Sequence, residues 1–381
     1  MKITLTFFTV LAFNFLTEAQ QTINASITHD AITRDYILYI PANYTGTQAV
    51  PLLFNFHGYT SNAGEQMFYG DFRPIADTAG FLIVHPEGTL DGTGEPHFNV
   101  GWGGSSVDDL GFTSALIDSL LLDYNINVER IYSTGMSNGG YMSFHLACNL
   151  SNRIAAVGSV TGAMVPATMS GCNATHPTPI IQIHGTSDGT VPYNGGAGWS
   201  VSIPNILTHW ATYNNCDAAP VVTNVPNINT MDGSTVEKTV YENGDNCTEV
   251  VHFKVTNGGH TWPGSALNIP GTNYDINASI EVWNFVSQYD INGKIDCATA
   301  SVDENNLNDA FSVSPNPTNA RISVEGEIPA STNYEIYSLM GERLLTGTVD
   351  GYDTEIDLSK LTSNVYFLRI GNQTMKVVKV D

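Results

Sequence analysis

The sequence is poor in positive charge. It has 14 Lys and Arg against 37 Asp and Glu, a formal net charge of −23, and charged residues are only 13% of its 381 positions. A chain this acidic repels phosphate backbones, so nucleic acid is not an expected partner. A sustained Gly-X-Y period and a sustained heptad are both missing, which excludes collagen-like and coiled-coil states. There is no Cys-x-x-Cys pair and no spaced His pair, so no metal site is expected. Beyond the first residues no apolar run is long enough to span a bilayer. What the chain does have is apolar material, 42% of its residues. That excludes disorder as the main state, and the length suits roughly two domains at about 150 residues each.

The first residues read as an address. Lys2 gives a positive start, Ile3 to Phe15 is almost unbroken apolar, and Ala19 closes the segment with a small residue. Residues 1–19 are therefore expected to be a secretory signal peptide, which makes the mature protein soluble and extracytoplasmic. Five cysteines fit an oxidising compartment. Four can form two bridges, and sequence order favours Cys148 with Cys172 and Cys216 with Cys247, leaving Cys297 odd. Some of them could equally be buried thiols.

Residues 20–297 alternate strand-like and helix-like patterns. Leu52–Phe56, Phe81–Val84, Arg130–Thr134 and Pro179–Ile183 are short apolar runs, and three of the four lead into His-Gly or His-Pro. Helical spacing follows Asp109, which suits an N-cap, then follows Ser137 as far as Cys148, then runs from Pro204 to Tyr213. Continuous apolar strands alternating with helices imply an α/β fold, a doubly wound and mostly parallel sheet covered on both faces. Residues 298–310 are polar and aperiodic, which suits a linker. From Phe311 to Asp381 short alternating runs indicate a small all-β, sandwich-like domain without His or Cys, with turns expected at Gly341-Glu342 and Gly371-Asn372.

The chemistry concentrates in three places. Gly135-Met136-Ser137-Asn138-Gly139 lies between an expected strand and an expected helix. Small residues two before and two after Ser137 allow the sharp turn that exposes a nucleophile at the sheet edge. A serine hydroxyl needs a base, and His260, in Gly258-Gly259-His260-Thr261-Trp262-Pro263-Gly264, sits on a Gly-rich loop that can reach that edge. Asp188, shortly after the run ending at His184-Gly185, is the candidate orienting acid, with Asp217, Asp232 and Asp245 as rivals. The order Ser, Asp, His is that of an α/β-hydrolase. An oxyanion hole needs two backbone N–H groups, here assigned to Asn138 and Tyr59. Asp108-Asp109 could be a divalent-metal pair, but helix capping explains it better. Trp102, Trp199 and Trp262 could line a groove or pack in the core.

Five ordered motifs carry a resemblance: Phe56-His57-Gly58-Tyr59, Trp102 with Val107–Phe112, the Ser137 elbow, His184–Tyr193, and Gly258–Gly264. Over about Asp35 to Val286 they resemble the secreted esterase family that joins polyhydroxybutyrate depolymerases to feruloyl and acetylxylan esterases. The resemblance implies Ser137, Asp188 and His260 as a triad, Tyr59 and Asn138 as oxyanion donors, Trp262 beside the substrate, and no cofactor. Tyr59 stands where Cys or another small residue often follows His-Gly, which keeps the backbone donor and alters the pocket wall. The C-terminal region resembles the type IX secretion sorting domain of Bacteroidetes, through Val313–Pro317, Tyr337–Gly341, Val365–Ile370 and Lys376–Val380. That implies the type IX machinery as a partner and an extracellular or cell-surface location. A carbohydrate-binding module is the rival, with Tyr334, Tyr337, Tyr352, Tyr366 and Phe367 as its aromatics. The expected activity is a serine carboxylic-ester hydrolase on an ester-bearing polymer, foremost a feruloyl or acetyl polysaccharide ester. A polyhydroxybutyrate depolymerase is the alternative, a peptidase on the same fold the third, and a non-enzymatic adhesin the last.

Overall fold

A computed structural model of the chain describes residues 20–297 and 311–380, apart from positions 327, 329–330, 339–342, 350–352 and 372. The expected signal peptide and linker lie outside the described residues, as do Tyr352 and the Gly341-Glu342 turn. The chain divides into two compact units, residues 1–299 and residues 300–381.

The first unit is built on one ten-stranded sheet. Its first four strands are β1 (Gln21–His29), β2 (Ile32–Ile40), β3 (Val50–Phe56) and β4 (Leu82–Pro86). A short separate hairpin follows, β5 (Thr89–Leu90) with β6 (Pro96–His97). The sheet resumes with β7 (Ile126–Met136), β8 (Ala156–Val160) and β9 (Ile180–Gly185). It ends with β10 (Val221–Asn224), β11 (Thr235–Tyr241) and β12 (Val250–Thr256). The order across the sheet is β1-β2-β4-β3-β7-β8-β9-β12-β11-β10. The strands from β4 to β12 run parallel. Antiparallel strands complete both edges. The fold is the doubly wound α/β-hydrolase type.

Among the described residues seven α-helices cover the sheet: α1 (Ala63–Tyr69), α2 (Arg73–Ala79), α3 (Asp109–Asp123), α4 (Asn138–Asn149), α5 (Pro166–Ser170), α6 (Ile203–Tyr213) and α7 (Ala278–Val286). The strand sequences read as continuous apolar runs because both faces are covered. On β3, Leu52, Phe54 and Phe56 join the core that takes Leu116 of α3, Phe144 of α4 and Trp210 of α6. Leu53 points the other way, into the core with Ala76 of α2 and Trp283 of α7. Trp283 stacks on Phe81 with ring centroids 3.6 Å apart.

Two expectations are corrected. The N-cap of α3 is Asp108, whose side chain accepts the Gly111 N–H at 2.8 Å. Asp109 stands inside the first turn and is buried. Its carboxylate pairs with the buried Arg34 at 2.6 Å and accepts the Asn99 N–H at 2.7 Å. The two carboxylates therefore engage different partners. Among the cysteines, Cys148 pairs with Cys172 as expected, but Cys247 pairs with Cys297 and Cys216 is free. The hairpin of β13 (Tyr289–Asp290) and β14 (Gly293–Lys294) brings the chain back against Asn246, so Cys297 arrives with its Cα 5.7 Å from that of Cys247. The Cys216 thiol faces the Thr248 carbonyl at 3.6 Å.

The second unit is all β. A three-stranded sheet holds β15 (Phe311–Ser314), β16 (Arg321–Gly326) and β19 (Asp353–Asp357). A four-stranded sheet holds β17 (Thr332–Ser338), β18 (Arg343–Val349), β20 (Asn364–Ile370) and β21 (Gln373–Lys379). Their inner faces share one core, with Ile322, Val324 and Ile356 from the first sheet and Ile336, Leu368 and Val377 from the second. Tyr366 is part of that core, its hydroxyl donating to the Thr362 carbonyl, so it is not available for a binding row. Among the described residues no helix is long and apolar enough to cross a membrane.

Removing Arg34 strands a buried carboxylate. Arg34→Met is expected to lower unfolding free energy by about 3–5 kcal/mol, read from urea denaturation of the mature chain. A loss below about 1 kcal/mol would show that the pair contributes no more than a surface ion pair.

Candidate active site

Ser137 occupies the turn from β7 into α4 with φ 53° and ψ −116°, a strained conformation for a residue with a side chain. The flanking glycines make that turn possible. A Cβ on Gly135 would lie 2.6 Å from the Phe56 carbonyl oxygen, and one on Gly139 would overlap the same atom. The strand end, the helix start and the end of β3 therefore meet backbone to backbone. The residues after β3 pass beside Ser137, where a Cβ on Gly58 would lie 3.5 Å from the Ser137 Cβ.

Asn138 opens α4, which gives its backbone N–H the helix N-terminal position beside the serine. Its buried side chain holds the Phe98 backbone at both ends. The Phe98 N–H donates to Oδ1 at 2.7 Å, and Nδ2 donates to the Phe98 carbonyl at 3.0 Å. The Tyr59 side chain turns outward, its hydroxyl donating to Asp91 at 2.8 Å. Behind it His57 is fully buried. Its Nε2 accepts the Gly88 N–H at 2.9 Å, so Nδ1 carries the proton and donates to the Gly58 carbonyl at 2.7 Å. In a trans peptide the N–H points opposite to the C=O. Holding the Gly58 carbonyl toward His57 therefore aims the Tyr59 N–H away from it.

Asp188 and His260 are joined directly. His260 Nδ1 donates to Asp188 Oδ2 at 2.7 Å. The other carboxylate oxygen accepts the N–H groups of Thr190 and Val191, at 2.9 and 2.8 Å. Burial alone would raise this acid, but hydrogen bonds from His184 and His260 outweigh it and hold Asp188 well below the usual carboxylate range. Because Asp188 is ionised and Nδ1 of His260 donates to it, Nε2 is left as the acceptor. The loops carrying the two residues interlock. Ser187 N–H donates to the Gly258 carbonyl at 2.9 Å and Asn257 N–H to the Thr186 hydroxyl at 2.9 Å. Gly185 leaves no side chain in the path of that Gly258 carbonyl.

These groups stand at the C-terminal ends of β7, β9 and β12, the crevice where open α/β sheets place their ligands. Burial raises the phenol of Tyr141, one turn into α4 from Ser137; the Ser200 hydrogen bond opposes this, and the Asp188 carboxylate adds a smaller upward push. The arrangement supplies a hydroxyl on a strained turn, an imidazole with a free acceptor nitrogen, and backbone donors at a helix N-terminus.

Trp262 corrects another expectation. Its ring is buried, meets Phe72 edge to face at 6.1 Å, and donates from Nε1 to the Ser279 hydroxyl at 3.1 Å. Its backbone N–H donates to the Tyr69 hydroxyl at 3.0 Å. Trp262 thus anchors the His260 loop from below and presents no face to a substrate. His184 was not expected here. Its Nε2 lies 2.9 Å from the Val191 carbonyl and 3.4 Å from Asp188 Oδ2, a second imidazole on the same carboxylate. The signal was present, since β3 and β9 both lead into His-Gly. The rivals Asp217, Asp232 and Asp245 bond to local loop groups instead: Asp217 to Asn243, Asp232 to Ser234 and Tyr274, Asp245 to Asn215.

Both units of the chain resemble known proteins. Residues 109–212 match the Phospholipase/Carboxylesterase family and residues 312–380 match the secretion system C-terminal sorting domain. The chain is 28% identical over 278 residues to the bifunctional acetylxylan esterase/xylanase XynS20E of Neocallimastix patriciarum, covering 72% of this chain and 36% of that protein. It is 27% identical over 268 residues to feruloyl esterase B of Piromyces equi, covering 68% of this chain and 46% of that one. It is 29% identical over 236 residues to the probable feruloyl esterase C of Aspergillus clavatus, covering 60% and 75%. Among solved structures, the acetyl xylan esterase from Aspergillus awamori aligns with a TM-score of 0.48 at 14% identity, over 70% of this chain and 99% of that one. The chain spans less than half the length of the first two relatives. An esterase-type domain and a sorting domain are thus both present, and the sorting domain marks a secreted or cell-surface protein.

Three histidines on or just after the strands of the sheet are held neutral by burial. His57 is lowered from 6.5 to about 4, and His85 and His252 to about 3. Unfolding returns each to its ordinary value, so between pH 6.5 and their folded values the unfolded chain binds more protons. Stability must therefore fall as pH falls through that window. The Tm of the mature chain is expected to decline steadily on acidification from neutral pH, and a flat or rising Tm would contradict the assignment.

Proposed function

We propose that the first unit is a serine carboxylic-ester hydrolase working by acyl transfer, with Ser137, Asp188 and His260 as its triad. The observation that carries the reading is the 2.7 Å bond from His260 to an ionised, buried Asp188. It is set at the sheet edge that also presents Ser137 on a strained elbow. In the first step His260 Nε2 takes the Ser137 proton as the hydroxyl oxygen attacks an ester carbonyl. The carbonyl oxygen becomes an oxyanion held by the N–H groups of Asn138 and Tyr59. The C–O bond to the alcohol breaks and His260 returns its proton to the leaving alkoxide. Water then repeats the sequence, freeing the acid and restoring Ser137. Asp188 keeps the imidazole in the correct tautomer and stabilises its charged form.

The substrate class follows from two supports. The relatives include proteins named as feruloyl and acetylxylan esterases, and a sorting domain sends the chain outside the cell, where polymers must be met. A feruloyl or acetyl ester of a polysaccharide is the reading adopted, with export through the type IX machinery by way of the second unit. The test is release of acid from methyl ferulate, acetylated xylan and polyhydroxybutyrate by the mature chain and its Ser137→Ala variant. Ferulate or acetate release that falls by several powers of ten in the variant is expected. Release that survives the substitution would remove Ser137 from the mechanism. Hydroxybutyrate release alone would transfer the enzyme to polyester substrates.

A further inference from the structure

We infer that Trp102 and Trp199, backed by the buried Tyr141, form an acyl-side subsite that selects planar aromatic acyl groups over acetyl. The inference rests on the esterase reading above and deepens it. Three observations carry it.

The first is the cluster itself. Tyr141 meets Trp102 edge-on with ring centroids 4.8 Å apart, and the two indoles are 6.3 Å apart at 71°. Tyr141 and Trp199 lie near parallel, at 27° and 6.4 Å. Perpendicular indoles make a corner rather than a closed stack. Trp199 is 37% exposed, unusual for an indole within an aromatic cluster.

The second is how the indoles are presented. Trp102 stands between Gly101 and Gly103-Gly104, and Gly198 precedes Trp199. All four glycines have positive φ, from 80° to 90°, and a Cβ on any of them would meet nothing within 4 Å. Two unrelated loops thus each hold up a tryptophan with bare backbone and open space beside it. Each ring is packed on one side, Trp102 against the core and Trp199 over Gly196, while the glycines beside them leave open space. The turn beneath Trp199 is closed by paired backbone bonds between Gly196 and Ser200, at 3.0 and 3.1 Å. Ser200 also hydrogen-bonds the Tyr141 hydroxyl, tying the turn to α4.

The third is the connection to the reacting groups. Tyr141 is one helical turn from Ser137. The loop to Trp102 is pinned by Asn138 through Phe98, and the loop to Trp199 continues from Asp188. None of the three rings comes from the His260 loop. His260 must protonate the leaving alcohol, so the alcohol lies on that loop's side and the acyl group lies toward the nucleophile helix. A ring held there is the acid's own. An aromatic acyl group can meet the Trp199 face and the Trp102 edge together, whereas an acetyl group reaches neither.

The test compares wild type with Trp199→Ala, Trp199→Phe and Trp102→Ala. Methyl ferulate, acetylated xylo-oligosaccharide and feruloylated xylo-oligosaccharide are the substrates, with kcat and KM measured separately. The expected result is that Trp199→Ala lowers the ratio of feruloyl to acetyl kcat/KM about tenfold or more, mainly through KM, for methyl and sugar esters alike. Trp199→Phe should restore most of it, which a general folding defect would not allow. A ratio within about twofold of wild type, or equal losses on both acyl groups, would overturn the inference. A loss confined to the sugar esters would place a pyranose on the rings and also overturn it. A wild type inactive on every ester would instead bring down the esterase reading, and the subsite with it.

Discussion

The contact between the Phe56 carbonyl and the backbone of Gly135 and Gly139 is the constraint on which the rest of the site depends. With no side chain between them, the end of β3 sits against the elbow, and a Cβ added to Gly58 just after it would lie in van der Waals contact with the Ser137 Cβ. A single methyl group at either glycine would push the end of β3 away from the Ser137 turn. The same device recurs at Gly185, where the absent side chain lets the Gly258 carbonyl approach and couples the acid loop to the histidine loop. The positions of Ser137, Asp188 and His260 are thus set by backbone packing.

Around that frame the titratable groups are sorted by burial and hydrogen bonding. His57 is kept neutral, and its defined tautomer orients the Gly58–Tyr59 peptide. Asp188 is kept ionised by two imidazoles and two backbone N–H groups. The two imidazoles, His57 and His260, are held differently. The difference is that the second ring nitrogen of His57 is occupied by the Gly88 N–H, while the Asp188 bond on His260 leaves Nε2 as its acceptor.

Much of this was legible in the chain. The elbow could be read because its glycine spacing is a local steric requirement. The parallel sheet could be read because both faces of its strands are apolar. What escaped depends on contacts between distant segments. Cys297 reaches Cys247 only because β13 and β14 fold back on Asn246, so order along the chain misassigned the second bridge. Trp262 lies in a stretch of glycines that reads as exposed, yet Tyr69 and Ser279 draw it into the core. Asp109 looked like a cap because its partner, Arg34, stands on a strand 75 positions away. His184 was seen as a strand end, since its contact with Asp188 appears only once the loop closes.

The most direct test of the central claim is chemical. The mature chain is treated with a fluorophosphonate ester, which phosphonylates a serine made nucleophilic by an adjacent base, and the adduct is located by peptide mass spectrometry. The account predicts one modified residue, Ser137, with labelling strongly slowed in His260→Ala. Labelling of a different serine, or a Ser137 that stays unmodified while the chain hydrolyses esters, would contradict it.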